Sequence, residues 1–375
     1  MCQLIKIKRQ ARLVLSLLLL CCGLTQAQPT QVWQRTYGAS DGQLAIEYFQ
    51  CSLKLRTNRY VHSGHRSILP INGGIAPNQA LLFYTSAAGD SLTTVGLAQP
   101  TSSAILALGR GHLPSSVLAV GYYSDSLFRS TGFASLIDSL GQPVWTRTFN
   151  QGYDLTAFEV NQAAAQVLPL PDGYLLVTAK NEIQNTTSQP GIPITCLTKL
   201  NRAGVVQWQR LYRRYTWING LVACPDGSYA LAGARAAALT PGGLLSNDYW
   251  LLRLKPNGDT IRSRRFGTQA ASDVAYGLAL TADDGLLLAG HTFPVRGGPD
   301  QGQLLRLDSL DRLLWTQTII STQPITTFGC YLREVRVTAA GQALVAGYKR
   351  VSTSPLVGAG YLALLPGGLS SGPPL

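Results

Sequence analysis

Histidine is the side chain best suited to proton transfer and metal binding near neutral pH, and the chain has four: His62, His65, His112 and His291. No two of them stand at a metal-ligand spacing, so no metal site is expected. His65 and His291 nevertheless occupy one place in an internal repeat, directly after a glycine that ends a strand, where other copies carry Tyr122 and Tyr348. Packing at a strand end is the plain use of that place, and facing a ligand is the functional one. Acids recur as well. Asp41, Asp154 and Asp273 precede equivalent strands, with Glu47 and Glu159 in or near them. A ring of carboxylates at one end of a repeat array could hold a cation or act as an acid and base pair, whereas an isolated Asp more simply caps a turn. Gly38-Ala-Ser40-Asp-Gly42 and Gly368-Leu-Ser370-Ser-Gly372 match the nucleophile-elbow pattern, but neither lies between a buried strand and a helix, as that chemistry requires.

The elements that would position these groups are read from one stretch, Asp248 to Gly267. Two alternating runs flank Pro256-Asn257-Gly258-Asp259, and Asn-Gly between such runs predicts a hairpin with a type I′ turn. Copies end at Trp145, Trp208 and Trp315. With Trp33, Thr93 and Arg262 in the same place, the marks fall 52 to 63 residues apart. A second hairpin lies between marks, clearest around Asp284-Gly285 and again at Asp226-Gly227 and Asp172-Gly173. Each unit reads as four strands, b, c, d and a, with b the richest in small residues and therefore nearest a crowded axis. A period of this length fits a four-stranded blade.

Six b-c-d sets can be counted. The last, ending at Tyr361 to Leu365, has no strand a after it, while Gln31 to Tyr37 is a strand a with no b-c-d before it. Pairing these orphans removes two open edges. The expected fold is all-β: a six-bladed β-propeller of four-stranded blades closed by its amino-terminal strand, with seven blades as the alternative. Trp33/Arg35/Tyr37, Trp145/Arg147/Phe149 and Trp208/Arg210/Tyr212 each share a face by the period of two, and inter-blade packing is the expected use of that face.

The succession Asp-Gly-x-Leu-Leu-Ala-Gly, Asp-Tyr-Trp-Leu-Leu-Arg-Leu, Asn-Gly and an aromatic-Gly ending resembles the repeats of secreted bacterial β-propellers of the Bacteroidota, which are kelch-like or delta-60-like. The resemblance spans about residues 31 to 368 and implies a propeller and export. The chain ends differently from those that carry a sorting domain, at Gly367-Gly368 and a short Ser/Gly/Pro tail. The Asp138, Gly141 and Trp145 spacing is nearer the tryptophan-docking repeat of quinoproteins than the sialidase Asp-box. The vicinal cysteines a quinone enzyme would be expected to bring occur only as Cys21-Cys22, and no cofactor is expected, whether or not a structural cation is bound.

Lys6, Lys8, Arg9 and Arg12 before the apolar run Leu13 to Leu20, with Thr25-Gln26-Ala27 after it, predict a leader over 1–27, cleaved after about Ala27. The propeller would then fill 28–368 and a disordered tail 369–375. Leu20 and Cys21 are poor predecessors for a lipid-bearing cysteine, which disfavours a lipoprotein, and no run is long enough for a membrane span. The formal charge is +12, and losing the leader removes four positive charges. With no basic block interleaved with aromatics, nucleic acid is not an expected partner. Cys51, Cys196, Cys224 and Cys330 would remain, open to three connectivities, and a Cys51–Cys330 bond would staple the first blade to the last. The expectation is a secreted or periplasmic monomer, a non-catalytic module. Its long-loop face, with His65, His291, Asp41, Asp154, Asp273, Tyr122 and Tyr348, would bind a protein or glycan of the envelope or extracellular space. The alternative is a propeller enzyme, a glycan hydrolase or lyase or a quinoprotein-like oxidoreductase.

Overall fold

The computed structural model describes residues 45–68, 78–97, 102–124, 129–149, 155–156, 166–182, 192–212, 216–239, 245–267, 271–294, 300–319, 329–353 and 356–365. All regular elements among them are strands, arranged as six antiparallel sheets whose main strands pair in chain order. Sheet one comprises β1 (Ala45–Lys54), β2 (Tyr60–Ile68), β3 (Asn78–Thr85) and β4 (Ser91–Gly96). Sheet two comprises β5 (Ser103–Arg110), β6 (Val117–Ser124), β7 (Arg129–Ile137) and β8 (Pro143–Phe149), with the short β9 (Leu155–Thr156) also on β7. Sheet three holds β10 (Gln166–Leu170), β11 (Gly173–Glu182), β12 (Ile192–Asn201) and β13 (Val206–Tyr212). Sheet four holds β14 (Thr216–Ala223), β15 (Tyr229–Leu239), β16 (Leu245–Leu254) and β17 (Thr260–Phe266). Sheet five holds β18 (Ala271–Leu280), β19 (Leu286–Pro294), β20 (Gln301–Leu307) and β21 (Leu313–Ile319). Sheet six has three strands, β22 (Cys330–Val337), β23 (Ala343–Thr353) and β24 (Leu356–Leu365). The leader, the strand Gln31 to Tyr37 and the tail lie outside the described residues.

The hairpin at Asn257-Gly258 forms, but not with a type I′ turn. Only Gly258 has positive φ, at 84°, and its amide donates to Lys255 O while Lys255 N donates to Asp259 O. Pro256 pre-sets the first corner of a type I turn, and Gly258 supplies the left-handed residue that realigns the strands. The same bonding recurs at Ser86–Asp90, Asp138–Gln142, Asn201–Val205, Cys224–Ser228 and Thr338–Gln342. The side chains of Asp138 and Asn201 accept loop amides and brace it. In a meander both hairpin turns of a sheet fall on one rim, so the longer connections fall on the other.

The first strands of consecutive sheets pack on one another, β1 on β5, β5 on β10, β10 on β14, β14 on β18 and β18 on β22. Their small residues answer that crowding. A Cβ on Gly220 would lie 2.6 Å from Leu278 Cβ, and one on Gly277 would lie 2.8 Å from Val335 N. Five of these strands also carry a bulge, leaving Gln50, Leu106, Asn219, Tyr276 and Arg333 without a cross-strand partner. In the sheets that carry it, the bulge explains the repeated glycine on the c strand. At Gly121, Gly233, Gly290 and Gly347 a Cβ would fall 1.8–2.1 Å from the inner strand's carbonyl oxygen at Ala104, Trp217, Val274 or Tyr331.

One apolar cluster fills the space between each successive pair of sheets, from Val61, Leu82, Ile105 and Phe133 between one and two to Leu287, Leu304, Leu332 and Val345 between five and six. Fully burying such side chains contributes roughly 1.5–3 kcal/mol each. On strand a the expected packing face is present. Trp145 covers Gly204 of the next sheet and donates from Nε1 to Arg202 O at 3.2 Å, while Arg147 Nε donates to Gly204 O. Trp208 repeats this on Gly258 and Pro256 O. Cys51 and Cys330 are free thiols, as are Cys196 and Cys224. Cys51 Sγ rests 2.9 Å from Ser63 Oγ and Cys330 packs in the core between sheets five and six, so the Cys51–Cys330 staple is absent from this structure.

Candidate functional site

The equivalence of His65, Tyr122, His291 and Tyr348 holds in three dimensions. Each follows its c-strand glycine and stands opposite Tyr48, Ala104, Val274 or Tyr331 of the inner strand. They belong to four different sheets, and their surroundings differ. His65 and Tyr122 are half-buried, Tyr348 is exposed and His291 is buried. Asp273 is buried on β18 opposite Thr292. Asp41 and Asp154 lie outside the described residues.

Around His291 a cluster of polar and aromatic groups closes. Its ring stacks on Tyr276 with centroids 5.5 Å apart and meets the Tyr331 ring edge-on at 4.6 Å. The Arg333 guanidinium lies over the Tyr276 ring, 4.1 Å from its centroid, and hydrogen-bonds the Tyr276 hydroxyl. Asp300, at the start of β20, shares a hydrogen bond with the Tyr331 hydroxyl, and its main-chain oxygen accepts Cys330 N. Burial, with Arg333 adding to it, pushes the His291 pKa down to about 4. Burial likewise raises Asp300, against the pull of Tyr331. His291 Nδ1 and Asp300 Oδ1 are buried with no hydrogen-bond partner. Each such group costs free energy unless a ligand or water meets it.

The spacing of histidines and acids picks out His291 here, but not Tyr276, Asp300, Tyr331 or Arg333. Tyr276 and Arg333 are the bulge residues of neighbouring inner strands. The signal that finds them is their place in the repeat, two residues after the inner-strand position facing the site, as with Asn219, whose Nδ2 donates to Ala275 O of the next sheet.

On the other side of β18, Asp248 and Asp273 converge. A Cβ on Gly267 would sit 2.5 Å from Asp248 Oδ1 and 2.7 Å from Asp273 Oδ2, so the missing side chain makes room for both carboxylates. Arg265 pairs with Asp248 at 3.6 Å. Beside them the buried Tyr249 hydroxyl has no hydrogen-bond partner, and burial followed by Asp273 raises its pKa. No group of three or more His, Cys, Asp or Glu among the described residues could hold a metal ion, and no helix among them is long and apolar enough to cross a membrane.

No protein-family model matches the chain, and none of the curated proteins is similar to it. Among solved structures it is similar to a protein of unknown function from Dyadobacter fermentans, at 11% identity over 84% of this chain and 94% of that one, with a TM-score of 0.49. A subtype N10 neuraminidase-like protein of A/little yellow-shouldered bat/Guatemala is 9% identical over 84% and 92%, with a TM-score of 0.47. An alpha-L-arabinofuranosidase from Fusarium graminearum is 9% identical over 86% and 97%, with a TM-score of 0.46.

Proposed function

We propose that the protein is an exported, non-catalytic binding module, cleaved after about Ala27, in which residues 28–368 form a six-bladed propeller closed by the strand at Trp33. Its ligand is a protein or glycan of the envelope or extracellular space. The observation that supports this is the His291 cluster. Buried polar atoms without partners stand beside an exposed guanidinium, on the side of the sheets away from the hairpin turns, and variable connections on a rigid scaffold are where binding is usually found. A glycan and envelope-protein binding screen tests it, run with the wild type, a Tyr276→Ala/Arg333→Ala variant and a Leu140→Ala/Leu310→Ala variant on the hairpin rim. Binding should be lost only in the first variant. Loss only in the second would mean that the opposite rim binds.

A second reading, a glycan hydrolase, draws on Asp248 and Asp273. Two carboxylates brought close together are the equipment of retaining hydrolysis. Turnover of chromogenic glycosides that disappears in both Asp248→Asn and Asp273→Asn would favour it over the binding module.

A further inference from the structure

We propose that the side-chain cluster around His291, where sheets five and six meet, binds a carboxylate-bearing sugar, with the acid group on Arg333 and hydroxyl groups on Asp300 and His291. The inference deepens the binding reading above and rests on it.

Three features lead there. Arg333 is exposed and forms no ion pair among the described residues, whereas Arg253, Arg306 and Arg336 are each paired with a carboxylate or held against one. Tyr276 holds its guanidinium over the ring, 4.1 Å from the centroid, and the guanidinium's other N–H groups suit a planar, two-oxygen anion. In the same cluster, ionised Asp300 offers Oδ1 as an acceptor only, and neutral His291 Nδ1 donates or accepts according to tautomer. A compact anion such as phosphate would satisfy Arg333 but meet the Asp300 carboxylate. A neutral sugar would satisfy Asp300 and His291 but leave Arg333 unused. A sugar acid carries both an anionic end and hydroxyl donors on one rigid ring. The positive formal charge of the whole chain would further favour a polyanionic glycan.

Uronates and sialates share this chemistry, so titration calorimetry of the full chain uses trigalacturonate, its methyl ester and a short oligosialate. One of the two acids should bind, and for trigalacturonate the ester should bind at least tenfold more weakly. Arg333→Ala, whose fold is checked by its melting curve, should weaken the acid at least tenfold and leave any binding of the ester unchanged. Asp300→Asn should weaken both. An ester bound as tightly as its acid, with Arg333→Ala silent, would overturn the inference and leave glycan binding standing. Failure to bind any sugar, with an acidic peptide or envelope protein retained in a Tyr276-dependent way, would also overturn it. Failure of every ligand in the screen would remove the binding reading itself.

Discussion

Arg262 of β17 reaches across to the next sheet and places Nη1 2.9 Å from Asp311 Oδ2. In sheets two and three the same place holds Trp145 or Trp208, and the turn opposite holds Gly204 or Gly258. Where tryptophan becomes arginine, glycine becomes aspartate. Asp311 keeps the left-handed backbone of the glycine it replaces, at φ 59°, and its buried carboxylate also takes Nη2 of the buried Arg253 at 2.7 Å. The inter-sheet joint is thus built in two chemistries on one backbone.

Removing Asp311 should be severe, because it strands the Arg253 charge in the core. Asp311→Ala is expected to destabilise by about 3–5 kcal/mol, and Arg262→Ala, a third exposed, by about 1 kcal/mol. Urea unfolding midpoints check both. Leu136 stands where Arg253 does, opposite the strand-a mark. The triple change Arg253→Leu/Arg262→Trp/Asp311→Gly therefore copies sheet two and should recover most of what Asp311→Gly alone loses.

Glycines that look alike in the sequence should respond differently to alanine. At Gly341 the backbone is left-handed, with φ 73°, and a Cβ meets nothing within 4 Å. Only the conformational penalty applies, about 1–2 kcal/mol. At Gly233 the Cβ would land 1.8 Å from Trp217 O, so the bulge itself must move, at about 3 kcal/mol or more. Thermal melts of the two variants should separate clearly.

The sheets, their order and the close packing of the b strands on one another were legible because turn glycines, Trp marks and small residues repeat. The turn type was misread. Asn-Gly suggests a type I′ turn, but Pro256 just before it imposes the type I corner. The site was only half legible. His291 and Asp273 stand out by residue type, whereas Tyr276 and Arg333 matter because a bulge turns them out of register, and a register slip leaves no mark on hydrophobic alternation. Asp300 follows a connection whose length varies from blade to blade, so no repeat position flags it.

His291 should make stability depend on pH. Its folded-state pKa, about 4, lies below the ordinary 6.5, so the unfolded chain takes up the proton first. The contribution is complete above about pH 6.5 and is lost as the pH falls toward 4, by no more than about 3 kcal/mol. His291→Gln removes that term, so the stability advantage of the wild type over this variant should shrink through that window. A constant difference would show that His291 is not held neutral by its surroundings. Arg333→Ala, by removing a neighbouring positive charge, should raise the His291 pKa as followed by NMR.

Ring closure makes the last prediction. On sheet six the face toward sheet five buries Val335, Ala343 and Val345 completely, while Leu344, Leu362 and Leu364 on the other face are 37%, 68% and 56% exposed. Closure as proposed would cover those leucines with sheet one and pair the β24 edge with the strand at Trp33. Leu362→Glu should then destabilise by well over 1 kcal/mol, whereas on an open surface it would stay within about 0.5 kcal/mol. A mature chain lacking residues 28–40 should melt several degrees lower and aggregate through the uncovered edge. If the shortened chain melts at the temperature of the mature protein and Leu362→Glu is silent, the ring is not closed by that strand.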